Sequence, residues 1–89
     1  MKKWKEFEQE LRLTKEEERL IEIEEKIIET MINIREEKGF TQKKIAEKSG
    51  LKQPTIARLE KNNHSPQLDT LLKVLIPMGY TIEIVPLAE

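Results

Sequence analysis

Lys52, Gln53, Thr55 and Arg58 are the residues of this 89-residue chain whose types and spacing most suggest chemistry. Within seven successive positions they set an ammonium, a carboxamide, a hydroxyl and a guanidinium. Such groups form hydrogen bonds to base edges and phosphates. Catalytic and metal chemistry find no support elsewhere. The chain has no cysteine, which removes disulfides and thiolate metal sites. His64 is the only histidine, with no cluster of acids beside it, so it reads as a solvated or phosphate-touching loop residue. Glu16, Glu17 and Glu18 fall on a helix surface without a pocket signal. The expectation is a binding protein, not an enzyme, with no metal and no cofactor.

The elements that must carry these groups can be read from the flanking residues. Residues 42–61 run Gln-Lys-Lys-Ile-Ala-Glu-Lys-Ser-Gly-Leu-Lys-Gln-Pro-Thr-Ile-Ala-Arg-Leu-Glu-Lys. In a helix-turn-helix each small or apolar position here has a geometric reason. Ala46 lets the second helix cross closely, and Gly50 supplies the positive φ of a sharp turn. Ile45, Leu51, Ile56 and Leu59 face inward. Thr41 is the N-cap of the first helix. Pro54 sits in the first turn of the second, where a missing amide donor costs little. Lys52, Gln53, Thr55 and Arg58 then project from the part of a recognition helix that meets base edges in a major groove.

Upstream, Thr14 and Glu17 read as a capping box. A long helix runs from there toward Lys38, with Leu20, Ile23, Ile27, Met31 and Ile34 as its stripe and Gly39 as its stop. Ile21, Ile28 and Ile32 widen the stripe, and the opposite face is rich in Glu. Downstream, a helix from about Leu68 uses Leu68, Leu71, Leu72, Leu75 and Ile76, and Pro77 and Gly79 stop it. Tyr80–Val85 alternates and is β-branched, which predicts a strand ended by Pro86. A single strand needs a partner edge. Pairing with a second copy through Tyr80, Ile82 and Ile84 is the simplest solution, with residues 1–7 or another protein as alternatives. The division expected is residues 1–13 as a leader segment, 14–79 as the helical domain with its helix-turn-helix at 41–61, and 80–89 as strand and tail.

Charge sharpens this division. Residues 1–38 hold nine Lys/Arg and twelve Asp/Glu, net −3. Residues 39–67 hold six and two, net +4. Residues 68–89 hold one and three, net −2. The total of −1 hides a basic middle that a polyanion would meet locally. Solvated helix faces are the plainer alternative. No apolar run approaches the roughly 20 residues of a membrane span. The first six residues are basic but are not followed by a signal-peptide core, so the expected location is the cytoplasm.

Residues 30–79 resemble the Cro/XRE-type helix-turn-helix domain of bacterial and phage repressors. The likeness rests on REEKGFTQKKIAEKSGLKQPTIARLEKN and SPQLDTLLKVL, and on Arg35, Gly39, Thr41-Gln42, Ala46, Gly50, Gln53, Ile56 and Leu59-Glu60. The resemblance implies roles position by position. Gln42 matches a residue that clamps a phosphate and braces the recognition helix. Gln53 matches a reader of adenine through N6 and N7. Lys52 and Arg58 match base or phosphate contacts, and Lys43 lies on the same DNA-facing side. Thr55 suits a phosphate or a thymine methyl. Lys61, Asn62 and Asn63 match a loop that grips the backbone. Arg35 and Glu60 match a partly buried ion pair, for which a weak surface contact is the alternative. Lys52 departs from the family's Ser or Thr cap. Asn62 departs from a common Gly, Pro54 from a frequent base reader, and Pro77 from a helix former.

A looser resemblance covers residues 14–86. The acidic leader helix, the XRE core and Gly-Tyr-Thr-Ile-Glu-Ile-Val-Pro at the end are similar to HigA-type antitoxins. That implies a protein that neutralises a RelE/HigB-like mRNA-cleaving toxin and represses its own operon by binding double-stranded operator DNA, to which the strand adds the expectation of a homodimer. Trp4, Phe7 and Leu11, spaced on one helical face, would anchor the toxin together with the Glu-rich helix, unless they pack on this chain. A stand-alone repressor of a phage or mobile element, without a toxin, is the alternative. The fold expected throughout is mainly α, a helix-turn-helix bundle with a long N-terminal helix and one C-terminal strand paired across a dimer.

Overall fold

A computed structural model describes residues 14–61 and 65–88. The expectations placed on Trp4, Phe7, Leu11, Asn62, Asn63 and His64 lie outside the described residues. The helices are α1 (Lys15–Glu37), α2 (Gln42–Ser49), α3 (Gln53–Glu60) and α4 (Leu68–Leu75), and α4 runs on into a 3₁₀ turn at Ile76–Met78.

Local chemistry explains the helix ends. The Thr14 hydroxyl accepts from the Glu17 amide at 3.1 Å and opens α1. The Glu17 carboxylate meets the Thr14 hydroxyl at 3.2 Å, where a full capping box would take it to the Thr14 amide. At the other end, Gly39 at φ 73° lets the Phe40 amide return to the Arg35 carbonyl at 3.0 Å. Thr41 accepts from the Lys44 amide at 3.0 Å and starts α2 two residues later. Gly50, at φ 75°, closes α2 with its amide on the Ala46 carbonyl. Lys52 gives α3 no side-chain cap, and Pro54 occupies the first turn.

One core joins these elements. Ile28 and Met31 of α1, Ile45 and Ala46 of α2, and Ile56 of α3 are buried together with Leu71, Val74, Leu75 and Met78. Each fully buried aliphatic side chain contributes about 1.5–3 kcal/mol of transfer free energy. The inward face of α4 differs from expectation. Leu68 and Ile76 are exposed, and Val74 and Met78 are buried in their place. Leu71, Val74, Leu75 and Met78 step by three, one and three, which is a single helical stripe. The 3₁₀ turn around Pro77 carries that stripe as far as Met78.

Two further expectations need correction. The stripe of α1 is covered only in its C-terminal half. Leu20, Ile21 and Ile23 remain exposed, because no described element packs against them. The strand at Tyr80–Val85 is absent, and residues 79–88 run without helix or strand. Strand pairing needs a neighbouring edge, and none exists among the described residues of one chain. Tyr80 and Ile82 instead line a groove against Ile27, Met31 and Ile34 of α1. Ile84 stands almost wholly in solvent.

Candidate nucleic-acid interface

The interface begins with how α3 is held. Ile45 and Ile56 are completely buried, and Ala46 is small enough for α3 to cross closely. The turn between α2 and α3 is braced by Ser49. Its hydroxyl donates to the Ala46 carbonyl at 3.2 Å and accepts from the Leu51 amide at 3.2 Å. The type of residue at 49 gives little warning of this, since serine is common in any loop.

The far end of α3 is fixed by charge. Arg35 donates to Glu60 twice, from Nε to Oε2 at 2.6 Å and from Nη2 to Oε1 at 3.0 Å. Its Nη1 donates to the Phe40 carbonyl at 2.7 Å. The side chains are only 12% and 9% exposed, so water screens this pair poorly. Glu60 Oε1 also accepts from Gln42 Nε2 at 2.9 Å. One carboxylate thereby ties together the end of α1, the start of α2 and the end of α3. Every buried side-chain nitrogen and oxygen among the described residues has a partner. Such a network positions a helix as well as stabilising it.

With α3 clamped at both ends, its outer side is free. Lys52, Gln53, Pro54 and Arg58 are exposed, and Thr55 is half-buried. Lys43 is exposed on α2, and Lys61 is exposed just past α3. Gln42 sits half-buried between the clamp and this surface. Beside α3 lies an open cleft of about 330 Å³, lined by Thr55, Arg58, Leu59, Ser65, Pro66, Gln67 and Thr70. Ser65, Gln67 and Thr70 are additions that the sequence reading did not single out. They belong to the connection into α4 and its first turn, and the packing of α4 against α2 brings them near Arg58.

Two basic residues near α3 are otherwise engaged. Lys48 Nζ lies 5.3 Å from the centre of the Phe40 ring, a cation–π distance. Lys44 faces Glu47 at 3.9 Å in an exposed pair of little energetic weight. Among the described residues, no three His, Cys, Asp or Glu side chains come together as a metal site. No described helix is long and apolar enough to cross a membrane.

An exposed, polar helix seated at a fixed angle against a partner helix across a tight turn defines a helix-turn-helix protein. The chain belongs to that family: residues 31–85 match the helix-turn-helix family HTH_3, the Cro/XRE type. More particularly, the chain is 46% identical over 84 residues to an uncharacterized HTH-type transcriptional regulator of Haemophilus influenzae. That match covers 94% of this chain and 85% of the relative. Its fold is similar to a chain of a toxin–antitoxin module from Streptococcus pneumoniae. The TM-score is 0.69 and the identity 45%, over 98% of this chain and 96% of the other.

Proposed function

We propose that the chain is the antitoxin of a toxin–antitoxin pair, and that it also binds operator DNA and represses its own operon. The observation that carries this reading is the extent of the pneumococcal likeness. It reaches 98% of the chain, well beyond the matched residues 31–85, and so takes in the acidic leader helix. A repressor that needed only its DNA-binding domain would give α1 no reason to leave Leu20, Ile21 and Ile23 uncovered.

In this reading α3 enters the major groove. Gln53 and Arg58 read bases, and Pro54 and Thr55 meet thymine methyls or phosphate. Lys43, Lys52 and Lys61, with Asn62 and Asn63, hold the phosphate backbone. Gln42 braces α3 through Glu60 and offers its remaining amide hydrogen to a phosphate. Two copies meet half-sites about 34 Å apart, so the operator is an inverted repeat. The toxin is a basic, RelE/HigB-like mRNA-cleaving protein held by the acidic α1, with Trp4, Phe7 and Leu11 as further anchors. The protein carries out no catalysis itself and works in the cytoplasm.

The Haemophilus influenzae relative favours a second reading, a stand-alone repressor, because it is described as an HTH-type transcriptional regulator. Expression of this gene with its neighbour, with a tag on this chain, separates the two. The antitoxin reading expects a small basic protein to co-purify and the complex to retard DNA of the operon's own promoter. Retarded DNA with no such companion supports the stand-alone repressor. Failure to retard the DNA at all rejects both.

A further inference from the structure

We infer that the C-terminal tail and the N-terminal half of α1 form one docking surface for a basic protein, in place of a seam between two copies of this chain. This inference rests on the antitoxin reading and extends it to residues 82–88.

The tail leaves the end of α4 and is tied to α1 at its far end. The Tyr80 amide donates to the Leu75 carbonyl at 3.0 Å. At the far end Arg19 Nη2 donates to the Ala88 carbonyl at 2.6 Å. Between them, Tyr80 and Ile82 border a groove of about 260 Å³ with Ile27, Met31, Ile34 and Leu75. From the level of Thr30 back to Arg19, the helix advances about 16 Å at roughly 1.5 Å per residue. The six steps from Ile82 to Ala88 span about 20 Å at most when extended. The tail therefore runs back along α1, opposite to the helix direction.

This course runs the tail beside the stretch of α1 that leaves its own apolar groups exposed. Leu20, Ile21 and Ile23 lie on α1, and Ile84, Val85 and Leu87 on the tail, with Ile84 99% exposed. A contiguous apolar patch of several hundred Å² marks an interaction site on a soluble protein.

Charge decides what kind of partner fits. Residues 15–29 carry seven acids (Glu16, Glu17, Glu18, Glu22, Glu24, Glu25, Glu29) against Lys15, Arg19 and Lys26, a net of −4. Glu83 brings the surface to −5. A second copy seated here would set −5 against −5, whereas a basic partner would complement it. The Arg19–Ala88 bond presents the tail as part of this surface and not as a free arm.

The test uses the full chain and, as probe, the tagged product of the adjacent gene. Ile84→Lys, Ile84→Glu and Glu83→Lys are compared with Ile76→Lys, an exposed apolar position on the 3₁₀ turn away from the patch. Ile84 touches almost nothing in the folded chain, so its variants should melt like the wild type. Ile84→Lys is expected to weaken probe binding about tenfold or more, since a charge must enter an apolar contact. Ile84→Glu should cost less than Ile84→Lys, Glu83→Lys should weaken binding most at low salt, and Ile76→Lys should change nothing. Undiminished binding by Ile84→Lys would overturn the inference while leaving the antitoxin reading intact. Equal losses for Lys and Glu would remove the basic partner. Sedimentation showing that Ile84→Lys turns a dimer into monomers while probe binding persists would assign the tail to a second copy. A wild-type chain that does not hold the probe defeats the antitoxin reading, and this inference with it.

Discussion

Gln42 donates its carboxamide hydrogen to Glu60 Oε1 at 2.9 Å, on the same carboxylate that receives two bonds from Arg35. The residue that opens α2 is thereby fixed to the residue that closes α3. A helix-turn-helix works only if the angle between its two helices is constant, and this bond holds that angle from the end opposite the turn.

Removing Glu60 should be among the costliest single changes. Glu60→Ala leaves Arg35 largely buried without its counter-ion, and about 3 kcal/mol of stability should be lost. Chemical denaturation reads the loss. Replacing both partners, as in Arg35→Met with Glu60→Leu, should restore much of it, because an apolar pair carries no desolvation cost. A double variant no better than the single would show that the pair is not the origin of the effect.

Gln42 should show a graded response. Gln42→Ala gives up one hydrogen bond, about 1 kcal/mol of stability. Gln42→Glu places a second carboxylate against Glu60 and should lose more than alanine does. Thermal melts of the two variants settle the order, and a more stable Gln42→Glu protein would contradict the contact.

Gly50 tests backbone conformation alone. Nothing lies within 4 Å of where its Cβ would stand, so alanine meets no clash there. The residue nevertheless holds φ 75°. Gly50→Ala should therefore cost about 1–2 kcal/mol through strain, and Gly50→Asn less, because asparagine tolerates this region. Equal losses for both would mean that strain is not the cause.

Met78 links the 3₁₀ turn to the core. It is 2% exposed, and Met78→Ala should cost about 2–5 kcal/mol, whereas Ile76→Ala at an exposed position should cost little. The reverse order in a denaturation series would place the inward stripe where the sequence alone suggested it.

That last contrast shows where the sequence was legible. Thr14, Gly39, Thr41 and Gly50 mark helix ends through local bonds, so a reader of the sequence can find them. Ile45, Ala46 and Ile56 follow from the spacing of a helix-turn-helix. Met78 was missed because Pro77 looked like a stop, and the 3₁₀ turn that carries the stripe past it has no strong sequence signal; Val74 was passed over for Leu68 and Ile76, which apolar spacing alone does not set apart from it. The strand at residues 80–85 was misread for a different reason. Alternation and β-branching describe a segment suited to an extended course, but strand formation also needs an edge, which lies outside the segment. The tail found α1 in its place. The Gln42–Glu60 bond and the cleft of Ser65, Gln67 and Thr70 depend on how distant segments pack, which local spacing does not encode.

Basic and hydrogen-bonding residues beside α3 should differ in kind. Lys61→Ala should weaken operator and random DNA alike and flatten the salt dependence of binding by about one unit. Titrations of both DNAs over a range of salt check this, and a loss confined to the operator would make Lys61 a base reader.

The most direct test of DNA recognition by α3 is the ratio of affinities for the operon's own promoter and for scrambled DNA, measured at one salt concentration for the wild type and for Gln53→Ala. The wild type should prefer its promoter by about 10³ or more. Gln53→Ala should lose about 1–3 kcal/mol on the promoter and much less on scrambled DNA, so that the ratio falls. A wild-type ratio near one, or an equal loss on both DNAs, would contradict sequence reading by α3.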